Sequence, residues 1–299
     1  MRMQTTQLSA PPSLGRLYLR AAGRAATDAV IRRRRPRELP DRQVVVTGHR
    51  IPAEAVTAWR GAVGSADPAD LPSVLVHTQV FGAAMELMAD PEFPLPLPGL
   101  VHLSNTVLHH RPVPAETALR VTARAVGLVP HHAGTAVDVV VTVEGPGDDG
   151  GEALLWEGVS RYLAKGVHLS GLRPERPARP DFVPPTPTAQ WRFGTGAGRR
   201  YAGVSGDWNP IHLTGVSARL FGMKGAIAHG MFLAARMLEG REPAGAGFRW
   251  HIDFEAPVVL PTTVAVRYEP GPDGGTRVYG WDARRRRPHF SGEITPLES

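Results

Sequence analysis

Residues 201–240 read YAGVSGDWNPIHLTGVSARLFGMKGAIAHGMFLAARMLEG, and this stretch decides how the rest of the chain is read. Within it, Asp207, Asn209, Pro210 and His212 bring an acid, an amide, a proline and an imidazole into six positions. Asn209 is a good helix cap. Pro210 suits the first helical position, because it lacks the N–H that would go unpaired there. His212 then falls in the first helical turn and Asp207 in the loop before it, so acid and imidazole can face one small volume. Gly206 lets the backbone turn sharply ahead of them. Further on, a helix is expected to start at about Ala228 to Met231, with Phe232, Leu233, Met237 and Leu238 at helical spacing. Gly230 stands at that start, where unpaired N–H groups and the helix dipole suit a developing oxyanion.

Each piece alone has a plainer reading. Asp-x-Asn-Pro is a common turn and helix-start composition. A lone His212 on a first turn is more often a cap or surface group, and His229 can be a packed histidine at a helix start. The two pieces in this order resemble the MaoC-like family of (R)-specific enoyl-thioester hydratases and 3-hydroxyacyl-thioester dehydratases. The family pattern is met by Tyr201, Ser205-Gly206-Asp207, Asn209-Pro210-Ile211-His212 and the later Ile227-Ala228-His229-Gly230-Met231. The resemblance implies that Asp207 and His212 are catalytic, that Gly230 supplies an oxyanion N–H, and that Ser205, Asn209 and His229 support the site. Some members carry a serine on the helix after His-Gly, and 232–240 has none. A metal site on Asp207, His212 and His229 is not expected, because the spacing matches none of the common zinc patterns.

Composition narrows the setting. The 299 residues suffice for one large domain or two ordinary ones, and 42% hydrophobic content supports a core. No cysteine is present, which excludes disulfides, thiolate metal sites and a cysteine nucleophile. A reducing cytoplasm is compatible with that usage. No apolar run reaches the length of a membrane span, and no signal-peptide pattern is evident at residue 1. The net charge of +6 is concentrated in Arg32–Arg35 with Arg37 and in Arg284–Arg287. Solvated loops are the plain reading of both runs; phosphorylated thioester carriers, an acidic carrier protein or a membrane surface are the sharper ones. Nucleic acid is not expected, since no binding motif or basic–aromatic interleaving occurs.

In chain order, residues 1–12 read as a loose terminus and 13–31 as an amphipathic basic helix, together an extension over 1–40. Residues 41–169 carry a strand, two helices (52–63 and 77–89) and four β-rich runs whose spacing suggests an antiparallel meander. Residues 170–187 are proline-rich and read as a linker. Residues 188–299 repeat the order of helix then sheet. An α+β double hot-dog fold follows, with a non-catalytic, acyl-binding first half, since the Asp-Asn-His motif occurs once. Met85 and Met88 on the apolar helix are candidates for lining a tunnel, with core packing the commoner role for such residues.

The resemblance implies reversible hydration of trans-2-enoyl thioesters carried by coenzyme A or acyl carrier protein, with no cofactor. Asp207 and His212 would hold and deprotonate water, and one of them would protonate C2. Rival readings are a non-catalytic acyl-thioester binding protein and a hot-dog thioesterase. Membrane contact is not expected, and the sheet edges of hot-dog folds invite a homodimer.

Overall fold

The computed structural model describes residues 3–31, 35–64, 71–147, 149–178, 181–243 and 247–297, with the side chains of 25, 26 and 28–31 excepted. The arginine run at 32–34 therefore lies outside the described residues. The chain forms two compact units. The first comprises Met1–Ile51, His77–Asn105 and Ala115–Ala178; the second comprises Pro52–Val76, Thr106–Pro114 and Arg179–Ser299.

In the first unit the strand order is β1-β2-β4-β5-β6-β3. These are β1 (Gln4–Leu8), β2 (Arg42–His49), β3 (Leu100–His109), β4 (Leu119–His131), β5 (Gly134–Pro146) and β6 (Glu152–Lys165). The terminus expected to be loose is instead β1, paired parallel to β2 from Gln4↔Arg42 to Leu8↔Val46. Its mostly polar QTTQL sequence gives little apolar signal, because an edge strand needs only a neighbour's backbone to satisfy its own. Only three of the four runs form the expected meander, β4-β5-β6. The β3–β4 connection contains Pro112 and Pro114 and is too long for a tight hairpin, so β3 takes its place beyond β6 and β2 flanks β4. Strand β5 buries Val137, Val139, Val140, Val141 and Val143, so both of its faces are covered and hydrophobic alternation is lost.

Helix α1 (Leu14–Ile31) buries Leu14, Leu17 and Ala21, and its Arg20 pairs with Glu86 at 2.8 Å. Glu86 lies on α3 (Ser73–Met88), which buries Val80, Ala83, Ala84, Met85, Leu87 and Met88. Its apolar character almost all round has this cause. Gly82 interrupts α3 where a Cβ would come within 2.6 Å of the Pro12 carbonyl oxygen.

In the second unit the order runs from the latter part of β3 through β8-β11-β10-β9-β7. These are β7 (Ala189–Phe193), β8 (Phe248–Phe254), β9 (Thr262–Pro270), β10 (Thr276–Asp282) and β11 (Pro288–Pro296), with antiparallel pairing among β7–β11. Their inner face and α6 (Gly230–Leu238) form the core, with Trp191 stacked on Phe290 at 5.5 Å and Phe193 edge-on to Phe232 at 5.3 Å. Helices α4 (Ala197–Ser205) and α5 (Gly215–Leu220) flank the motif. Helix α2 (Ala53–Val63) also belongs to this unit, although it precedes the first unit's strands β3–β6 in sequence, and its Trp59 meets Tyr201 at 5.8 Å. Ser73 is fully buried here, accepting from Trp250 Nε1 at 2.8 Å and donating its N–H to Glu242 at 3.1 Å. Among the described residues no helix is long and apolar enough to cross a membrane.

Candidate active site

The motif is a loop fixed by its own short side chains. Helix α4 ends at Gly206, which adopts a left-handed conformation (φ 71°) and donates to the Ala202 carbonyl at 2.9 Å. Ser205 Oγ donates back to the Tyr201 carbonyl at 2.9 Å and accepts the Asp207 N–H at 3.3 Å. Asp207 Oδ1 then accepts the Asn209 N–H at 3.2 Å, and Asn209 Oδ1 the Ile211 N–H at 3.3 Å. Each is an Asx or serine turn that substitutes for a backbone hydrogen bond. Pro210–His212 is a single 3₁₀ turn capped by Asn209, as the Asn-Pro spacing leads one to expect. Ser217 on α5 holds this turn from below by donating to the Pro210 carbonyl at 2.7 Å.

Two imidazoles meet over this loop. His212 Nδ1 lies 2.8 Å from the Ile227 carbonyl oxygen, and His229 Nε2 lies 2.9 Å from the main-chain oxygen of Asp207. A carbonyl can only accept, so the bonding nitrogen in each neutral ring carries the proton, and the other keeps a lone pair. Nδ1–H on His212 thus leaves Nε2 as a base. Burial lowers the pKa of His212, against the pull of Asp207 and of the Ile227 bond. Burial drives His229 well below its ordinary value, and the neighbouring His212 pushes it further the same way. The rings stack with centroids 3.6 Å apart and planes 24° from parallel. Both are therefore neutral at pH 7.

One carboxylate oxygen of Asp207 and one nitrogen from each imidazole all lie within 4.8 Å of one another. The Asp207 side chain is 20% exposed and that of His229 only 4%, so solvent reaches the trio from the aspartate side. His229 Nε2 stands 3.9 Å from Asp207 Oδ2, beyond hydrogen-bond range, so its bond is to the backbone and its work is to hold the loop. As a metal cage the trio is poor. Ligation needs in-plane nitrogen lone pairs converging at about 2.0–2.1 Å, and two nearly parallel stacked rings aim theirs side by side.

Helix α6 begins at Gly230 with His229 as its N-cap residue and no side-chain cap bond. The Gly230 and Met231 N–H groups precede the first intrahelical bond, which Phe232 makes to the His229 carbonyl at 3.1 Å, and they sit next to the imidazoles in sequence. A packing reason also accounts for the glycine. A Cβ at 230 would come within 2.9 Å of the Phe254 ring.

The structure brings Ser205, Asp207, Asn209, His212, His229 and Gly230 together in the second unit. Met85 and Met88 lie on α3 in the first unit, 1% and 2% exposed. Several contacts left little or no trace in the sequence, even where, as at Tyr201, the residue itself stood in the motif. Ile227 acts through a backbone oxygen, which any residue supplies. Trp59, Tyr201 and Phe232 form an aromatic wall, with Tyr201 stacked on Phe232 at 5.0 Å and 5.0 Å from His229. At Gly198 on α4 a Cβ would collide with the His212 carbonyl oxygen. A glycine inside a helix was the one available signal for that contact.

Residues 178–272 match the family model described as MaoC like domain. The chain is 33% identical over 283 residues to 3-hydroxyacyl-thioester dehydratase X of Mycobacterium tuberculosis, covering 92% of this chain and 96% of the relative. The crystal structure of HtdX from that organism superposes with a TM-score of 0.73 at 30% identity, over 86% of this chain and all of the other. A MaoC-like dehydratase from Phytophthora capsici shares the fold at a TM-score of 0.67 and 16% identity, over 86% and 95%. The fold is thus the α+β hot-dog arrangement of these dehydratases, and with a full-length relative at one-third identity and the acid–imidazole motif in place, the chain belongs to the MaoC-like dehydratase family.

Proposed function

We propose that this chain interconverts trans-2-enoyl and (R)-3-hydroxyacyl thioesters by adding or removing water. The observation that carries the reading is the bare Nε2 of a neutral His212, sharing a small volume with the partly exposed Asp207 carboxylate beside the uncapped start of α6. In the hydration direction, water held between Asp207 and His212 gives up a proton as its oxygen bonds to C3. The C2=C3 electron pair moves toward the carbonyl, and negative charge builds on the thioester oxygen. The Gly230 N–H stabilises that oxygen, a contribution of about 2.7–4 kcal/mol for one such donor. The Asp207–His212 pair, which has taken the water's proton, returns one to C2 of the enolate, and the 3-hydroxyacyl thioester leaves. A positioned acid–base group adds about 10²–10⁴-fold. The reaction is redox-neutral and uses no redox cofactor. The relative's dehydratase name and the family match support this reaction class.

The test is loss of the enoyl-thioester absorbance with crotonyl-, octenoyl- and dodecenoyl-coenzyme A, followed by chiral analysis of the product. Loss of absorbance with an (R)-3-hydroxyacyl product is expected. An (S) product would overturn the stereochemical part, and inertness toward every acyl chain and carrier would overturn the activity.

A further inference from the structure

A cavity with a volume of about 330 Å³ lies in the second unit. Its wall includes Thr195, Arg199 of α4, Thr214, Arg219 of α5 and Lys224. Leu213 and Thr214 in this wall directly follow His212, and Gly225 and Ala226 directly precede Ile227, whose carbonyl orients the imidazole. No carboxylate lines the cavity. Arg199 spends one Nη1 hydrogen bond on the Leu213 carbonyl at 2.8 Å, leaving most of its five donors for another partner. Among the described residues, none of the three cations makes an ion pair with an acid. None of the three belongs to the arginine runs that dominate the sequence's charge.

We propose that this cavity is a phosphate subsite in which Arg199, Arg219 and Lys224 hold a phosphate group of the thioester's carrier. The assignment rests on the thioester reading above. Three cations exceed what one carboxylate would neutralise, whereas a phosphate monoester or diphosphate matches them. Arginine's planar fork also suits phosphate oxygens. The volume stands at the small end of ligand sites, room for a phosphate with its neighbouring atoms rather than a whole carrier. The charged side chains are exposed, so attraction to the ligand weakens with salt. The phosphate has two sources: the end of the pantetheine arm, which is part of the diphosphate in coenzyme A and a singly charged diester on acyl carrier protein, or the 3′-phosphate monoester at the nucleotide end, found only on coenzyme A.

The experiment compares the parent protein with Arg219→Ala/Lys224→Ala. Both side chains are on the surface, so circular dichroism should match the parent. Calorimetric titration uses 4′-phosphopantetheine and adenosine 3′,5′-bisphosphate, and kinetics use crotonyl thioesters of pantetheine, 4′-phosphopantetheine and coenzyme A. The expected result is binding of at least one phosphate probe by the parent, weakened about tenfold or more in the variant. KM should rise by a similar factor for the phosphate-bearing thioesters, with kcat nearly unchanged, and stay level for the pantetheine thioester. A response that begins with 4′-phosphopantetheine assigns the arm; one confined to coenzyme A and the bisphosphate assigns the nucleotide. The proposal is overturned if the parent binds neither probe, or if the variant keeps the parent's affinities. Should the parent turn over no thioester, the activity reading falls, and the titrations alone decide the cavity.

Discussion

His212 is positioned by a main-chain oxygen fifteen residues away in sequence, and that bond sets which nitrogen is basic. Burial lowers its pKa, so the ring should stay a base at pH values where an ordinary histidine, near 6.5, is already protonated. The acid limb of the kcat/KM profile is therefore expected below pH 6.5; an inflection at or above that value would contradict the neutral-base assignment. Tyr201 presents a different case. Its buried hydroxyl has no hydrogen-bond partner among the described residues, and its pKa is raised well above 10 by burial and then by Asp207. A buried donor without an acceptor is a cost that phenylalanine removes. Tyr201→Phe should leave the thermal midpoint unchanged or raised, whereas a lower midpoint would show that the hydroxyl has a partner that stabilises the fold. At this scale the sequence was most legible where side chains act. Asp207 and His212 announced themselves, while the Ile227 carbonyl could not.

Helix α4 offers a paired test of how elements hold the motif. A Cβ at Gly198 would strike the His212 carbonyl, whereas at Gly203 on the same helix nothing lies within 4 Å. Gly198→Ala should cost about 1–3 kcal/mol through overpacking and reduce activity by displacing His212. Gly203→Ala should stabilise by about 0.5–1 kcal/mol, since alanine is the better helix residue. Denaturant titration of both variants checks the pair, and equal effects would refute the contact. Most elements were marked in the sequence, though β1, α4 and α5 were not. The motif's turn chemistry, the buried α3 and the β-rich runs all appeared where periodicity or punctuation placed them. What escaped was pairing. β1 is too polar to announce itself, and β3 takes its place beyond β6 because its long connection to β4, carrying two prolines, frees it from the hairpin rule.

For the whole chain, contiguity in sequence misled in one respect. The segments Pro52–Val76 and Thr106–Pro114 belong with the unit that carries the motif, although both precede the proline-rich stretch. The contacts responsible, such as Trp59 with Tyr201 and Thr106 Oγ1 with His251 Nδ1 at 2.7 Å, join residues too far apart for any local pattern. The molecule also carries an unusual load of buried neutral histidine. Burial takes His77 and His109 down to about 4, and burial with the nearby His77 takes His102 to about 3. Folded-state values below the unfolded value of about 6.5 mean that the unfolded chain binds more protons between the two. Stability is therefore complete above pH 6.5 and lost as pH falls from there toward 4. Three such groups cost roughly 4 kcal/mol one pH unit below 6.5. For a chain of this size that corresponds to a midpoint lower by about 10 °C. Calorimetry at pH 7.5 and 5.5 would show the drop, and equal midpoints would mean that these rings ionise within the fold.

The central claim is that Asp207 and the neutral His212 together activate water. The most direct measurement is steady-state hydration of a trans-2-enoyl-coenzyme A by the parent protein, Asp207→Asn and His212→Ala, with folding of each confirmed by circular dichroism. Both variants are expected to lose at least about 10²-fold in kcat while remaining folded. Near-parental turnover by either folded variant would contradict the account.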